Sequence, residues 1–442
     1  MRHLLLITFI SAVAFSCKIA QSSTSTPTVH PLSILLDTST VLSQSFTGFI
    51  LYDFAKKQVL YERNANRYFT PASNTKLYTF YACLKTLGDS IPALRYVTRG
   101  DSLIFWGTGD PTFLHPDFSN KDSLGNSTRV LDFFAAKKDK ILFFSVGNFT
   151  NESNGLGWAW DDYNDYYQPE LTPLPMYGNI LRATIVNKKL GIYPPFFKDS
   201  LTISLENGSF IQRDVHKNLF TLPVSLQQKI KYEQDIPYKT SILLTQKMLI
   251  DTLKRAVGIL KLSVSKDAQT LYNMPVEPVY RQMLQVSDNM LAEHLLFLCG
   301  ATANDTINTT QSIAYIKQKN LMDLPDAPKW VDGSGLSRYN LFTPRATLKL
   351  LQKIYVELPQ EKLFSLLPTG GIGTLNGAYG SDKPFIFAKS GSLSGVYNLS
   401  GYLITKQGKL LMFSFMNNNF NKTTSSVRKE VERILTWVHL NY

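Results

Sequence analysis

The stretch 68-YFTPASNTKLYTF-80 places Ser73 and Lys76 three positions apart, just after Pro71 and ahead of apolar residues at helical spacing. The pattern predicts a helix from about residue 70 or 72 to 87, with Gly88 as its stop. Side chains three apart on a helix lie on the same face. The free N–H groups at a helix start also favour an anion developing there. This geometry suits a serine nucleophile activated by a lysine.

The Ser-x-x-Lys pattern alone is weak evidence, because the sequence contains two similar pairs elsewhere. Ser263 and Lys266 lie in an alternating, strand-like stretch, where positions three apart point to opposite faces. Ser426 and Lys429 open a terminal helix among charged residues, which favours a cap on a solvated face. Taken by itself, Ser73 would be a helix-start serine beside a surface lysine.

Two further motifs favour a catalytic role for Ser73 over that of a helix-start serine. Ser287-Asp288-Asn289 precedes an apolar helical run, where by itself it would be a helix cap. Lys389-Ser390-Gly391 continues a strand that begins near Phe385, where by itself it would be part of a glycine-broken hairpin. The three motifs in this order in one chain are much harder to explain separately.

Ser-x-x-Lys, Ser-x-Asn and Lys-Thr-Gly form the motif set of penicillin-binding proteins and serine β-lactamases, here with serine in place of the threonine. The stretches GTGDPTF (107–113), GWAWDD (157–162) and DGSGLSRYN (332–340) extend the similarity. The chain resembles the class C low-molecular-mass penicillin-binding proteins, a family of D-Ala-D-Ala carboxypeptidases and endopeptidases. That family carries a large insertion between the first two motifs, and Ser73 and Ser287 are 214 positions apart (287 − 73). Residues 190–270 do not match the family recognisably.

The resemblance implies an α+β fold, with a serine β-lactamase/transpeptidase-like catalytic domain in which helices flank an antiparallel sheet. The catalytic domain would be discontinuous, with residues 31–90 as its first part and 272–442 as its second. The large insertion, 91–271, contains short strand-like runs and is expected to be mainly β.

The resemblance also implies catalytic roles. Ser73 would attack the carbonyl between two D-alanines, and Lys76 would be its base, with a pKa lowered by the Lys389 cation and partial burial. Ser287 would relay the proton to the leaving amine, and Asn289 would hold the substrate amide. Lys76 and Ser287 would thus serve successive steps of one acyl transfer.

Substrate binding would fall to Lys389, Ser390, Gly391 and Ser392. The Lys389 ammonium and Ser390 hydroxyl would bind the terminal carboxylate of the substrate. Backbone N–H groups of Ser73 and Ser392 would form the oxyanion hole. An extended peptide could pair with the strand at 389–394. GWAWDD is interpreted as packing, and Asp332–Arg338 as either a tight glycine-rich turn or a cleft-shaping segment.

The N-terminus carries export signals. Residues 1–17 are predicted to be a signal peptide, whose Ser16-Cys17 junction resembles a lipoprotein cleavage site; ordinary secretion is the alternative. Residues 18–30 are rich in serine and threonine and would be a flexible tether. We therefore expect the protein in the periplasm or cell envelope, anchored to a membrane through a lipid at Cys17.

Composition limits the cofactors and partners. The net charge is +12, but no basic run is present, so a nucleic-acid partner is not expected. The six histidines lack metal-ligand spacing and no Cys-x-x-Cys occurs, so neither a metal nor another cofactor is expected. Cys83 and Cys299 would be buried thiols, with a disulfide between them as the alternative.

These inferences predict a serine-type D-Ala-D-Ala carboxypeptidase that acts on peptidoglycan stem peptides and takes β-lactams as covalent inhibitors. The motifs do not separate carboxypeptidase from endopeptidase activity. A β-lactamase is a weaker alternative, because no Glu-x-x-Leu-Asn pattern is present. A non-catalytic peptidoglycan-binding or β-lactam-sensing lipoprotein is the other alternative.

Overall fold

A computed structural model describes residues 29–118 and 128–442. The predicted signal peptide, Cys17 and most of the tether lie outside the described residues. No helix in the described part is both long and apolar enough to cross a membrane. The helices are α1 Pro31–Asp37, α2 Thr75–Thr86, α3 Arg129–Ala136, α4 Val224–Gln227, α5 Ile242–Leu253, α6 Val276–Gln285, α7 Asn289–Asn304, α8 Thr309–Asn320, α9 Pro344–Glu357, α10 Gln360–Leu366 and α11 Thr424–Asn441.

The strands fall into two sets, one from the ends of the chain and one from its middle. The first set is β1 Phe46–Asp53, β2 Gln58–Arg63, β14 Ile386–Leu393, β15 Val396–Ile404 and β16 Leu410–Asn418. The second set is β3 Ser90–Arg99, β4 Ser102–Gly107, β5 Ile141–Ser145, β6 Ile180–Val186, β7 Lys189–Tyr193, β8 Leu201–Ser204, β9 Gln212–Arg213, β10 Phe220–Pro223, β11 Lys231–Pro237, β12 Val257–Leu260 and β13 Gln269–Pro275.

The first set forms one antiparallel sheet in the order β14-β15-β16-β1-β2. Strand β1 pairs with β16 from Phe46 opposite Asn418 to Asp53 opposite Leu411, so the two ends of the chain share one sheet. Strand β16 is buried from Leu411 onward because both faces of the sheet are covered. Helices α1 and α11 pack on one face, and α9 packs on the other.

Helix α7 is the centre of the helical layer and is buried from Met290 to Ala301. A helix that is apolar nearly all round must be enclosed by other elements, and α2, α6 and α8 surround it. The thiols of Cys83 on α2 and Cys299 on α7 are free and buried, with their sulfurs 3.7 Å apart. The two cysteines therefore meet in the core as thiols.

The middle of the chain forms three small sheets, in the orders β12-β5-β4-β3-β13, β11-β6-β7 and β8-β10-β9. A separate hydrophobic core, which includes Phe105, Phe134 and Leu181, holds these sheets together with α3 and α5. The predicted α+β fold, an antiparallel sheet flanked by helices with a mainly β insertion, is confirmed.

Two local predictions differ from the structure. The helix expected from about residue 70 or 72 begins as a 3-10 turn at Ala72–Asn74, and α2 starts only at Thr75. The pair Ser263 and Lys266 lies in a loop between β12 and β13. The neighbouring Leu262 backbone bonds to the Ser145 hydroxyl, which takes the place of a strand partner.

Candidate active site

The turn that carries Ser73 is hydrogen-bonded to three neighbouring strands of the antiparallel sheet, β14, β15 and β16. Asn398 Nδ2 donates to the Thr70 carbonyl at 2.9 Å, and the Thr70 N–H donates to Asn418 Oδ1 at 2.7 Å. Asn74 Nδ2 donates to the Lys389 carbonyl at 2.9 Å. Side chains from the turn and from β15 and β16 therefore set the position of the serine relative to β14.

Close approach of β14 to this turn requires a glycine at position 391. A Cβ atom on Gly391 would lie 2.6 Å from the Pro71 carbonyl oxygen and 2.9 Å from the Ser73 nitrogen. Real Cβ atoms do not come this close to backbone atoms, so a larger residue would push the strand away. The glycine of the third motif thus permits contact between the strand and the first motif.

Lys76 is completely buried and its three N–H bonds all have acceptors. Its Nζ donates to Ser73 Oγ at 2.9 Å, to Asn289 Oδ1 at 2.6 Å and to the Ser334 carbonyl at 2.8 Å. Burial lowers the pKa of Lys76 to about 8, against the opposing influence of nearby carboxylates. Proximity and a lowered pKa are the two properties that a lysine base needs.

Ser287 faces a second buried lysine. Lys389 Nζ donates to Ser287 Oγ at 2.9 Å and to the Ser390 carbonyl at 2.8 Å. Ser287 has a φ of +68°, an unusual value for a residue with a side chain, and Asp288 then caps α7 through the Leu291 N–H. Burial lowers the pKa of Lys389 well below its usual value, and the Lys76 charge adds to the decrease.

The site opens into a cleft of about 1360 Å³ between the insertion and the catalytic sheet. Ser73, Ser287, Ser390 and Ser392 all line this cleft. Ser390 Oγ donates to Thr374 Oγ1 at 2.7 Å, which gives the cleft a further hydroxyl. The serines of all three motifs therefore face one space that an extended peptide could enter.

The structure brings together every predicted site residue, and it adds others that the motifs did not indicate. Asn289 also donates through Nδ2 to the Tyr167 carbonyl of the insertion at 2.9 Å. Asp332 is buried and accepts from Gly335 N, Ser337 N and the Trp158 indole N–H. The composition of GWAWDD favours a packing role, yet Trp158, Asp161 and Asp162 line the cleft.

The cause of the lowered Lys76 pKa differs from the one that the resemblance implies, which is the Lys389 cation with partial burial. Complete burial is the main cause, and Asp288, Asp332 and Glu293 act in the opposite direction. In the described part of the chain, no group of three or more His, Cys, Asp or Glu side chains could hold a metal ion.

An antiparallel sheet flanked by helices, with a Ser-Lys pair facing a second Ser-Lys pair, defines a serine transpeptidase-like protein. The chain belongs to the D-Ala-D-Ala carboxypeptidase 3 (S13) family, whose model matches residues 32–205 and 227–438. This membership confirms the class predicted from the motifs, and with it the activity of a D-alanyl-D-alanine carboxypeptidase.

Similar proteins span almost the whole chain. D-alanyl-D-alanine carboxypeptidase DacB of Haemophilus influenzae is 24% identical over 90% of this chain and 91% of its own. Penicillin-sensitive carboxypeptidase A of Dictyostelium discoideum is 23% identical over 85% of this chain and 83% of its own. The crystal structure of H. influenzae penicillin-binding protein 4 has a TM-score of 0.72 at 20% identity, covering 93% of this chain and 98% of that one. The last comparison confirms the fold.

Proposed function

We propose that Ser73 is the nucleophile of this carboxypeptidase and Lys76 its general base. The observation that carries the proposal is the 2.9 Å contact between Nζ of the fully buried Lys76 and Oγ of Ser73, which lines the cleft. Neutral Lys76 takes the hydroxyl proton while Ser73 Oγ bonds to the carbonyl carbon of the penultimate D-alanine. The backbone N–H groups of Ser73 and Ser392 stabilise the oxyanion.

The tetrahedral intermediate then collapses to an acyl-enzyme. The bond to the terminal D-alanine breaks, and Ser287 passes to its nitrogen the proton that Lys76 took from Ser73. Ser287 Oγ is held by a 2.9 Å hydrogen bond from Lys389 Nζ. Asn289 holds the substrate amide while its own side-chain oxygen accepts from Lys76. Water hydrolyses the ester in a second round of the same chemistry and frees Ser73.

The strand that carries the third motif binds the substrate. Lys389 and the Ser390 hydroxyl recognise the terminal carboxylate of a stem peptide, and the peptide pairs along residues 389–394 as an added strand. Gly391 allows this strand to lie against the nucleophile. The large cleft can take peptidoglycan stems longer than a dipeptide, in either carboxypeptidase or endopeptidase reactions.

β-Lactams acylate the same serine, and the name of the Dictyostelium relative, a penicillin-sensitive carboxypeptidase, supports this extension. Action in the periplasm or cell envelope agrees with the N-terminal export signal. The lipid at Cys17 and the division of the chain at residues 31–90, 91–271 and 272–442 remain part of the proposal.

The test is intact-mass spectrometry of residues 18–442 and of the Ser73→Ala variant after exposure to penicillin, followed by incubation with diacetyl-Lys-D-Ala-D-Ala. We expect one penicillin adduct on the parent, none on the variant, and release of D-alanine by the parent alone. An adduct that persists in Ser73→Ala would contradict the assignment of the nucleophile. Rapid turnover of penicillin by the parent would instead indicate a β-lactamase.

A further inference from the structure

Glu293 is a buried carboxylate that none of the three motifs includes. It lies one helical turn after Asn289 on α7 and is 1% exposed. Its Oε2 accepts from the Gly333 N–H at 2.9 Å, and its Oε1 accepts from the Ser334 N–H at 2.7 Å. One side chain therefore holds two successive peptide units of the 332–340 segment.

The carbonyl groups of Gly333 and Ser334 contact α2. Thr79 Oγ1 donates to the Gly333 carbonyl at 2.6 Å, and Lys76 Nζ donates to the Ser334 carbonyl at 2.8 Å. A Cβ atom on Gly333 would lie 2.6 Å from the Ala292 carbonyl oxygen, so the segment also packs tightly on α7. Residues 333–334 are thus fixed between the helix of the base and the helix of Asn289.

The Ser334 carbonyl matters because, by accepting an N–H bond of Lys76, it helps to fix the direction of the lone pair of the amine. Neutral lysine has two N–H bonds and one lone pair, and a base must direct its lone pair at the proton that it takes. Asn289 Oδ1 and the Ser334 carbonyl can accept the two N–H bonds, which leaves the lone pair of Lys76 facing Ser73 Oγ. Loss of either acceptor would let the amine rotate away from the serine.

We propose that Glu293 is a positioning residue for acylation, because it fixes the peptide unit next to the Ser334 carbonyl, and that carbonyl orients the amine of Lys76. The proposal rests on the proposed roles of Ser73 and Lys76, and it adds a residue outside their motifs. Glu293 acts through the backbone of residues 333 and 334 and does not touch the substrate.

Glu293 also contributes charge to the site. Asp288 at the start of α7, Asp332 in the loop and Glu293 each raise the pKa of Lys76, while burial lowers it. Lys389 on β14 is the other lysine of the site, and burial lowers its pKa as well. Burial and the neighbouring Asp332 raise the pKa of Glu293 itself, and its hydrogen bonds to residues 333 and 334 oppose this increase. Removing its negative charge should therefore lower the pKa of Lys76.

The experiment measures the rate of acylation by a fluorescent penicillin from pH 6 to 10 in residues 18–442, which retain every residue that the structure describes. Glu293→Gln replaces one acceptor oxygen by an NH₂ group, which cannot accept a hydrogen bond from the N–H of Gly333 or Ser334. We expect acylation at saturating penicillin to slow roughly 10- to 100-fold, with little change in the preceding binding constant. The midpoint of the rise in rate with pH should move roughly 0.5 to 1 pH unit lower.

Glu293→Asp separates the effect of side-chain length from the effect of negative charge. The shorter side chain keeps the negative charge but cannot hold both N–H groups, so the rate should fall while the pH midpoint stays near that of the parent. Asp110→Asn is the matched control, because Asp110 is a fully buried carboxylate of the insertion that bonds to Thr112 and Asn273. It should leave both the saturating acylation rate and the pH midpoint unchanged.

If Glu293→Gln does not fold, Thr79→Val tests the support of residues 333–334 instead, since Thr79 contacts them from α2. Loss of the hydroxyl that donates to the Gly333 carbonyl should slow saturating acylation several-fold. An unchanged rate and pH midpoint in folded Glu293→Gln, or an unchanged rate in Thr79→Val, would overturn the positioning role. A parent that penicillin does not acylate would instead contradict the proposed function.

Discussion

Ser73 and Lys76 form a local pair, yet the properties of that pair depend on distant residues. Lys76 Nζ donates to Ser73 Oγ, three positions earlier in the chain, at 2.9 Å. The other two acceptors of Lys76 come from Asn289 and Ser334, more than 200 positions away. The Ser334 contact uses a backbone carbonyl, which every residue type has, so no motif could indicate it.

The titration of Lys76 predicts how acylation depends on pH. The neutral amine is the base, so the rate should be low below the pKa of Lys76, rise through about pH 8 and level off above it. The measurement is the second-order rate of penicillin acylation between pH 6 and 10. Lys76→Ala should abolish the reaction across this range, and a rate already level at pH 6.5 would rule out a base with a pKa near 8.

Lys389 predicts a dependence on the terminal charge of the substrate. Lys389→Ala should reduce hydrolysis of diacetyl-Lys-D-Ala-D-Ala roughly 100-fold, because a carboxylate loses its charged hydrogen-bond donor. A peptide with a blocked, uncharged terminus should lose much less. The comparison of kcat/KM for the two peptides checks this, and equal losses would contradict the carboxylate role.

Strand β14 contacts the 3-10 turn before α2 only because residue 391 of the strand has no side chain. The strand itself is predictable from its apolar residues, and its glycine suggested only a break. That Gly391 permits contact with Pro71 and Ser73 depends on how the two elements pack, which the local sequence does not contain.

Gly391→Ala should separate these two elements. The added methyl group would meet the Pro71 carbonyl at 2.6 Å, so β14 must shift away from Ser73, and acylation should fall roughly 100-fold. Gly380→Ala is the control, because its added Cβ meets no atom within 4 Å. Penicillin acylation rates and thermal melting of both variants make the comparison, and a Gly391→Ala enzyme with the parent rate would refute this role of the glycine.

At the scale of the whole molecule, specific contacts join the insertion to the proposed site residues. Trp158 donates its indole N–H to Asp332, and the Tyr167 carbonyl accepts from Asn289. Asp332 in turn fixes the loop that includes Ser334. The insertion therefore forms one wall of the cleft and also supports the loop that contacts Lys76.

This arrangement predicts that Trp158, although it belongs to the insertion, affects the rate of acylation. Trp158→Phe keeps an aromatic ring but removes one donor from the buried Asp332 carboxylate, and acylation should slow roughly 3- to 10-fold. Trp160→Phe, at a side chain that is 78% exposed, should keep the parent rate. Parallel acylation rates and melting temperatures would reveal whether the effect is confined to the site, and equal rates in the two variants would count against this coupling.

The motifs, the family, the α+β fold and the eight proposed site residues could be predicted from residue types, because side-chain type and short-range spacing carry that information. The surroundings of Lys76 depend on packing: its complete burial, the Ser334 carbonyl, the Glu293 carboxylate and the support from Trp158. These features arise where segments far apart in the chain pack together and bond through backbone groups. Burial and backbone contacts of that kind are properties of the assembled fold, so residue identities alone do not reveal them.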